Sequence, residues 1–225
     1  MKNFILIILV ISSTLALNAQ SLLPIKYGLK VGLNVANIIS APEEGVKDLE
    51  TSSKIGVSGG FYMEIPLTDI WYINPEIVYS QKGASFNYEY TQDYNINHRQ
   101  EYSTTNDLPL TYIELSPTVS YKASHKLSLN LGPAVSFLIG DGYDYKQDPT
   151  NQHTLSDGEF NEESIDLGLN CGLSYYINEQ LFIDSKIYSG FLKVGEISRP
   201  IDIKENKFSH TLKNSVFIFS FGYLF

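Results

Sequence analysis

SVFIFSFGYLF, residues Ser215 to Phe225, ends the chain. Its alternate positions separate into two faces: Phe217, Phe219, Phe221, Tyr223 and Phe225 on one, Val216, Ile218, Ser220, Gly222 and Leu224 on the other. A period of two marks a strand. Five rings in a row facing water would invite aggregation, whereas against hydrocarbon the same stripe is an ordinary outer wall. That reading requires the rest of the chain to repeat the pattern.

Seven earlier segments do. They run over residues 27–38, 55–67, 71–82, 110–122, 127–139, 165–177 and 181–193, each with an apolar stripe on one parity and mostly Gly, Ser, Asn, Tyr or charged residues on the other. In one of them, Leu167, Leu169, Cys171, Leu173 and Tyr175 oppose Asp166, Gly168, Asn170, Gly172 and Ser174. The connections alternate in length. Those around Thr68-Asp69, Ser124-His125 and Asn178-Glu179 are tight, and 39–54, 84–109, 140–164 and 194–212 are long. Short periplasmic turns, long outer loops, an even strand count and two periplasmic termini are the plan of a transmembrane barrel. The expected fold is all-β: an eight-stranded antiparallel up-and-down transmembrane β-barrel over residues 20–225, with four long outer loops. Within 84–109, Tyr88, Tyr90, Tyr94 and Tyr102 among Asn, Gln and Thr suit an adhesive surface. They also suit a hairpin that extends strands three and four above the membrane.

Residues 1–19 read as a secretory signal peptide: one Lys, an apolar run and Ala19 at the expected cleavage point, although Leu17 is large for position −3. The run is too short to span a bilayer as a helix and is interrupted by Ser12, Ser13 and Thr14. Hydrophobic content of 43 % is too low for a bundle of membrane helices, and a net charge of −9 argues against a nucleic-acid partner. A single Cys171 leaves no intramolecular disulfide, and it does not adjoin the leader as a lipoprotein cysteine would.

Alternation alone does not say which face is inside, so a water-soluble lipocalin-like barrel with an apolar cavity is the rival. A surface facing water is rich in Lys, Glu and Thr. Here the polar stripe is mostly Gly, Ser, Asn and Tyr, which suits a crowded lumen, with glycines making room in a narrow tube. Aromatics gather at both ends of the apolar stripe. Tyr27, Trp71, Tyr121, Tyr175, Tyr223 and Phe225 fall at the expected periplasmic rim, and Tyr79, Phe137, Phe191 and Phe217 at the outer one. Two such girdles belong to a membrane barrel, so lipid is expected outside.

GLKVGLNVANI at 28–38, INPEIVYSQKGA at 73–84, YIELSPTVSYK at 112–122, LNLGPAVSFLIG at 129–140 and the Tyr-x-Phe terminus resemble the PorT-type outer-membrane β-barrel family of Bacteroidetes-like bacteria. PEIVYSQKG is the most specific piece of a resemblance that covers nearly the whole mature chain. It implies a barrel without a catalytic motif and, through some members, a component needed for type IX protein secretion.

Projected inward, Glu64, Glu76, Glu114, Asp166 and Asp184 share the lumen with Lys30, Lys82 and Lys186, and with Tyr62, Tyr72, Tyr112 and Tyr188. Eight strands leave an interior only just wide enough for side chains. A salt-bridged plug is therefore preferred to an ion path lined by carboxylates. The 140–164 loop carries Asp141, Asp144, Asp148, Asp157, Glu159, Glu162 and Glu163 without the order of a calcium loop, which reads as a solvated acidic loop. Ser and Asp are plentiful near His98, His125, His153 and His210, but co-occurrence alone does not make a nucleophile-and-base arrangement, and Cys171 reads as a small lipid-facing hydrophobe. The function expected is non-enzymatic: a membrane scaffold or accessory component in protein secretion or surface assembly. A narrow channel is the alternative and an outer-membrane hydrolase the remote one. No cofactor or metal is expected. The expected partners are outer-membrane lipid, barrel-insertion machinery and a secretion or surface protein.

Overall fold

The computed structural model describes residues 24–42, 51–95, 98–142, 159–200 and 207–225; the expected leader, residues 1–19, lies outside them. Every regular element among the described residues is a strand: β1 (Lys26–Pro42), β2 (Thr51–Pro66), β3 (Trp71–Asn95), β4 (His98–Lys122), β5 (Leu127–Asp141), β6 (Glu159–Glu162), β7 (Ile165–Tyr176), β8 (Leu181–Gly190), β9 (Gly195–Pro200) and β10 (Lys207–Leu224). All pairings are antiparallel. β1 to β5, β7, β8 and β10 follow one another round the wall, and β1 closes on β10 from Gly28↔Leu224 to Pro42↔His210. This is the closed eight-stranded barrel that the alternation predicts. Each tight turn is held by one side-chain oxygen. Thr68 Oγ1 accepts from the Trp71 N–H at 3.0 Å, Ser124 Oγ from Leu127 at 3.1 Å and Asn178 Oδ1 from Leu181 at 2.7 Å.

Three of the long connections are not simply loops. The β3–β4 ladder runs on through Tyr90↔Tyr102 to Asn95↔His98. β9 pairs with Lys207–Leu212 of β10, and β6 pairs with β9. The first is the hairpin extension that the Tyr- and Thr-rich 84–109 stretch suits, whereas β6 and β9 are short and lack an apolar stripe, so a search for period two passes over them.

Sidedness is unambiguous in the barrel proper. Phe217, Phe219 and Phe221 are 46 %, 39 % and 55 % exposed, while Glu76 and Lys186 are 6 % and 4 % exposed. Greasy outside and charged inside is the reverse of a water-soluble carrier. At the end away from the tight turns this polarity inverts. Ile38, Ala84, Leu108, Leu110, Tyr112, Val194 and Leu212 pack together inside. Partly exposed Lys54–Asp107 and Lys193–Glu163 pairs, each 3.5 Å apart, accompany them. The extension obeys the rule for water, and the wall below it the rule for hydrocarbon.

Three prolines lie side by side on the outer wall. Pro75 pairs with Pro117, and the register on either side sets Pro117 against Pro133. Proline has no N–H to give, and the β4–β5 ladder is interrupted between Leu115↔Val135 and Val119↔Leu131. Inward hydroxyls take over part of the work: Thr118 Oγ1 donates to the Asn74 carbonyl at 3.3 Å and Ser116 Oγ to the Pro133 carbonyl at 3.5 Å.

Close approach of strands makes a glycine obligatory at position 60. A Cβ on Gly60 would stand 2.0 Å from the Ile77 carbonyl oxygen, which is backbone and cannot swing aside. Gly60→Val should therefore force β2 and β3 apart and destabilise the barrel by about 2 kcal/mol or more. Urea unfolding with heat-modifiable gel migration measures this, and an unchanged midpoint would contradict the packing.

Candidate functional site: the lumen

The inward stripes stack into layers. Nearest the tight turns is an aromatic floor. The Phe182 ring lies 5.1 Å from that of Tyr62 and 5.5 Å from that of Tyr176, with Leu224 packed beside Phe182 and Tyr62. Gly222 makes this possible, because a Cβ there would fall 2.1 Å from Phe182. Both phenols donate to Glu64 Oε1, Tyr62 at 3.2 Å and Tyr176 more closely, and Asn74 Nδ2 donates to the Tyr62 oxygen at 2.7 Å.

Above the floor, four charges from β1, β3 and β8 form a closed square. Lys30 Nζ lies 3.2 Å from Glu76 and 2.5 Å from Asp184. Lys186 Nζ lies 2.5 Å from Glu76 and 3.4 Å from Asp184. Every cation touches every anion, so the square is neutral. Asp184 Oδ1 also accepts from Ser174 at 2.7 Å, and Ser174 in turn accepts from Asn130 at 2.7 Å. Such partners are what buried charge requires, since desolvation is repaid only when the remaining lone pairs are satisfied.

A second pair follows. Lys82 meets Glu114 at 2.8 Å, donates to Ser136 at 3.0 Å and sits 3.6 Å over the Tyr188 ring. Asn170 bridges Glu114, at 3.0 Å, and Ser116, at 2.8 Å. Between square and pair is a cavity of about 20 Å³ lined by Lys30, Glu76, Glu114, Asn170, Asp184 and Lys186 among others, room for about one water. Asp166, farther up, accepts from Asn214 at 2.9 Å. Among the described residues, Glu64 and Asp166 pair with no lysine, which leaves the lumen acidic at both ends. The apolar cluster around Leu108, Leu110 and Leu212 lies beyond.

All eight charged residues expected in the lumen are buried, and six of them meet in the square and the pair. Tyr72 stays at the rim, with Lys122 Nζ 3.8 Å over its ring. Tyr27, Trp71, Tyr121, Tyr175, Tyr223 and Phe225 face outward at the turn end, and Tyr79, Phe137, Phe191 and Phe217 face outward towards the other. His125 is exposed in its turn; the side chains of His98, His153 and His210, and residues 143–158 of the acidic loop, lie outside the described residues. No metal-binding cluster of His, Cys, Asp and Glu occurs among the described residues. Sequence reasoning missed Tyr176, Phe182 and the apolar cluster. The cluster did leave a signal: Ile38, Leu108, Leu110 and Leu212 keep the inward parity while their neighbours Asn37, Asp107, Thr111 and Lys213 turn polar.

Glu76→Gln removes one corner of the square and leaves two buried ammonium groups on Asp184. It should destabilise the barrel by about 3–5 kcal/mol. Replacing Lys82 and Glu114 together by Met and Leu should be milder than removing either alone. A double-mutant cycle in guanidinium measures both, and strictly additive losses would show that the pair is not coupled.

A family model described as outer membrane protein beta-barrel domain matches residues 18–194. No curated protein matches the chain. Among solved structures, Neisserial surface protein A is 14 % identical over 88 % of this chain and 97 % of its own, with a TM-score of 0.49. The attachment invasion locus protein Ail of Yersinia pestis is 12 % identical over 90 % and 100 %, with a TM-score of 0.40. Outer membrane protein W of E. coli is 15 % identical over 89 % and 97 %, with a TM-score of 0.36. Lipid along the wall is the environment that such a domain implies and that the apolar exterior demands. By the extent of the family match, this chain belongs to the outer membrane protein beta-barrel domain family.

Proposed function

We propose that the protein is a closed, non-catalytic scaffold of the outer membrane whose work is done outside the barrel proper. One observation carries this reading: the charge square sits between an aromatic floor and an apolar cap, beside a cavity of about 20 Å³. Hydrated ions need a continuous wet path, and a lumen filled by side chains offers none. In this reading residues 1–19 are removed on export, both termini are periplasmic, and the two aromatic girdles lie at the membrane interfaces. The last strand is then read by barrel-insertion machinery. The cored extension beyond the wall is a firm platform for a second protein, and the PorT-type resemblance supports a partner in protein secretion or surface assembly.

Purified barrel in a planar bilayer should give no discrete conductance steps. Steps in the wild type that disappear in Glu76→Gln would replace the scaffold with a narrow channel through the Glu/Lys/Tyr lumen.

A further inference from the structure

The outer wall is apolar up to the long-strand end, where polar residues enter it, and on the β1–β10–β8 side these include lysines. Asn37 of β1 pairs with Ser215 of β10, and Ser215 with Ser189 of β8, all at outward positions. Asn37 Oδ1 is occupied by the Ile38 N–H at 2.8 Å, which leaves its amide nitrogen as the donating end, with no partner among the described residues. Just beyond, the wall breaks. β8 stops at Gly190, and residues 191–194 bulge out before β9 resumes the ladder, with the Val194 N–H donating to the Leu212 carbonyl at 2.8 Å. A regular strand shows every second side chain to one face. This bulge shows three in succession, Phe191, Leu192 and Lys193, all exposed, before Val194 turns in.

Lys213 stands opposite the bulge on β10, outward and paired with exposed Ile39. Among the described residues no carboxylate pairs with it; Glu163 is 3.5 Å from Lys193 with about half its side chain exposed, and Glu196 of β9 lies opposite Thr211, two residues from Lys213 along β10. Two ammonium groups and a row of neutral donors thus lie directly above a greasy wall, in a chain of net charge −9. Ile55, Ile139 and Ile165, outward at the same end of other strands, are apolar. Elsewhere at this end the outward polar groups include Gln81 on β3, Thr111 on β4 and Asp107, which pairs with Lys54, whereas Lys213 is an outward lysine with no carboxylate partner among the described residues.

We infer that the β1–β10–β8 face binds a phosphate-bearing lipid of the adjoining leaflet. Lys193 and Lys213 hold the phosphate, Ser189, Ser215 and Asn37 donate beneath it, and Phe191 and Leu192 lie along the first acyl carbons. A soluble anion would gain nothing from the two apolar side chains, and a neutral lipid nothing from the lysines. The inference rests on the lipid-facing reading of the wall, and it is independent of whether the lumen conducts.

Native mass spectrometry of the full barrel in detergent tests it, with monophosphoryl lipid A, the same lipid without phosphate, and inorganic phosphate as probes. Wild type should retain the phosphorylated lipid. Lys193→Gln with Lys213→Gln should weaken retention about thirtyfold, and each alone about fivefold, given roughly 1 kcal/mol per lysine at a membrane surface. The double variant should hold the dephosphorylated lipid no worse than wild type does, and Lys54→Gln should behave as wild type. Heat-modifiable migration checks that each variant is folded. Equal retention of the phosphorylated lipid by the folded double variant overturns the site, as does equal wild-type binding of both lipids. Displacement by millimolar inorganic phosphate reassigns it to a free anion and overturns the lipid claim.

Discussion

A strand in hydrocarbon has no water to satisfy its N–H and C=O groups, so a sheet in a bilayer is stable only when its edges meet. The seam between β1 and β10 is where this chain meets that requirement, and the rest of the structure depends on it. Closing the seam brings Lys30, on the first strand, to Asp184 on the strand next to the last, while Glu76 reaches both lysines from the third. None of these side chains could be discharged by its neighbours along the sequence. The charge square is therefore a product of closure and, once made, a reason for the wall to stay closed.

Keeping ions in a narrow lumen looks expensive, because well-packed apolar residues of the same volume are often no less stable. Sidedness supplies the physical reason to keep them. With grease on both faces, a slip of one residue in any ladder would exchange inside and outside at little free-energy difference. With Lys30, Glu76, Asp184 and Lys186 on the inner stripe, the same slip would push charges into acyl chains. The polar interior thus specifies register, and the inverted polarity of the extension marks where that constraint ends.

Much of this was legible in one dimension. The wall followed from parity: eight apolar stripes, three tight turns and the placing of aromatic rings at stripe ends. The eight charged lumen residues followed from the same parity, because a residue opposite Leu or Ile on a two-faced strand has one place to go. Parity does not say which charges meet across the tube. That depends on shear, and Lys30, Glu76 and Asp184 are brought together by pairings far apart in sequence. Phe182 and Tyr176 were hidden because each adjoins an outward apolar residue, Leu181 and Tyr175, at a strand end where alternation has too few turns to be read. Strands β6 and β9 were hidden because both of their faces are polar enough to pass for loop.

The row of Pro75, Pro117 and Pro133 means that cohesion is unevenly distributed round the circumference. Where Pro117 faces Pro133, adjacent strands are joined through side-chain hydroxyls and contacts above and below, since neither residue can contribute a backbone rung. Thermal breathing should begin there and not at the long, unbroken β1–β10 seam, with Leu115, Val119, Leu131 and Val135 exchanging their amide hydrogens first. A barrel that is stiff where its chain ends join and pliant on the opposite flank has a built-in direction of bending, set by three residues that lack a hydrogen.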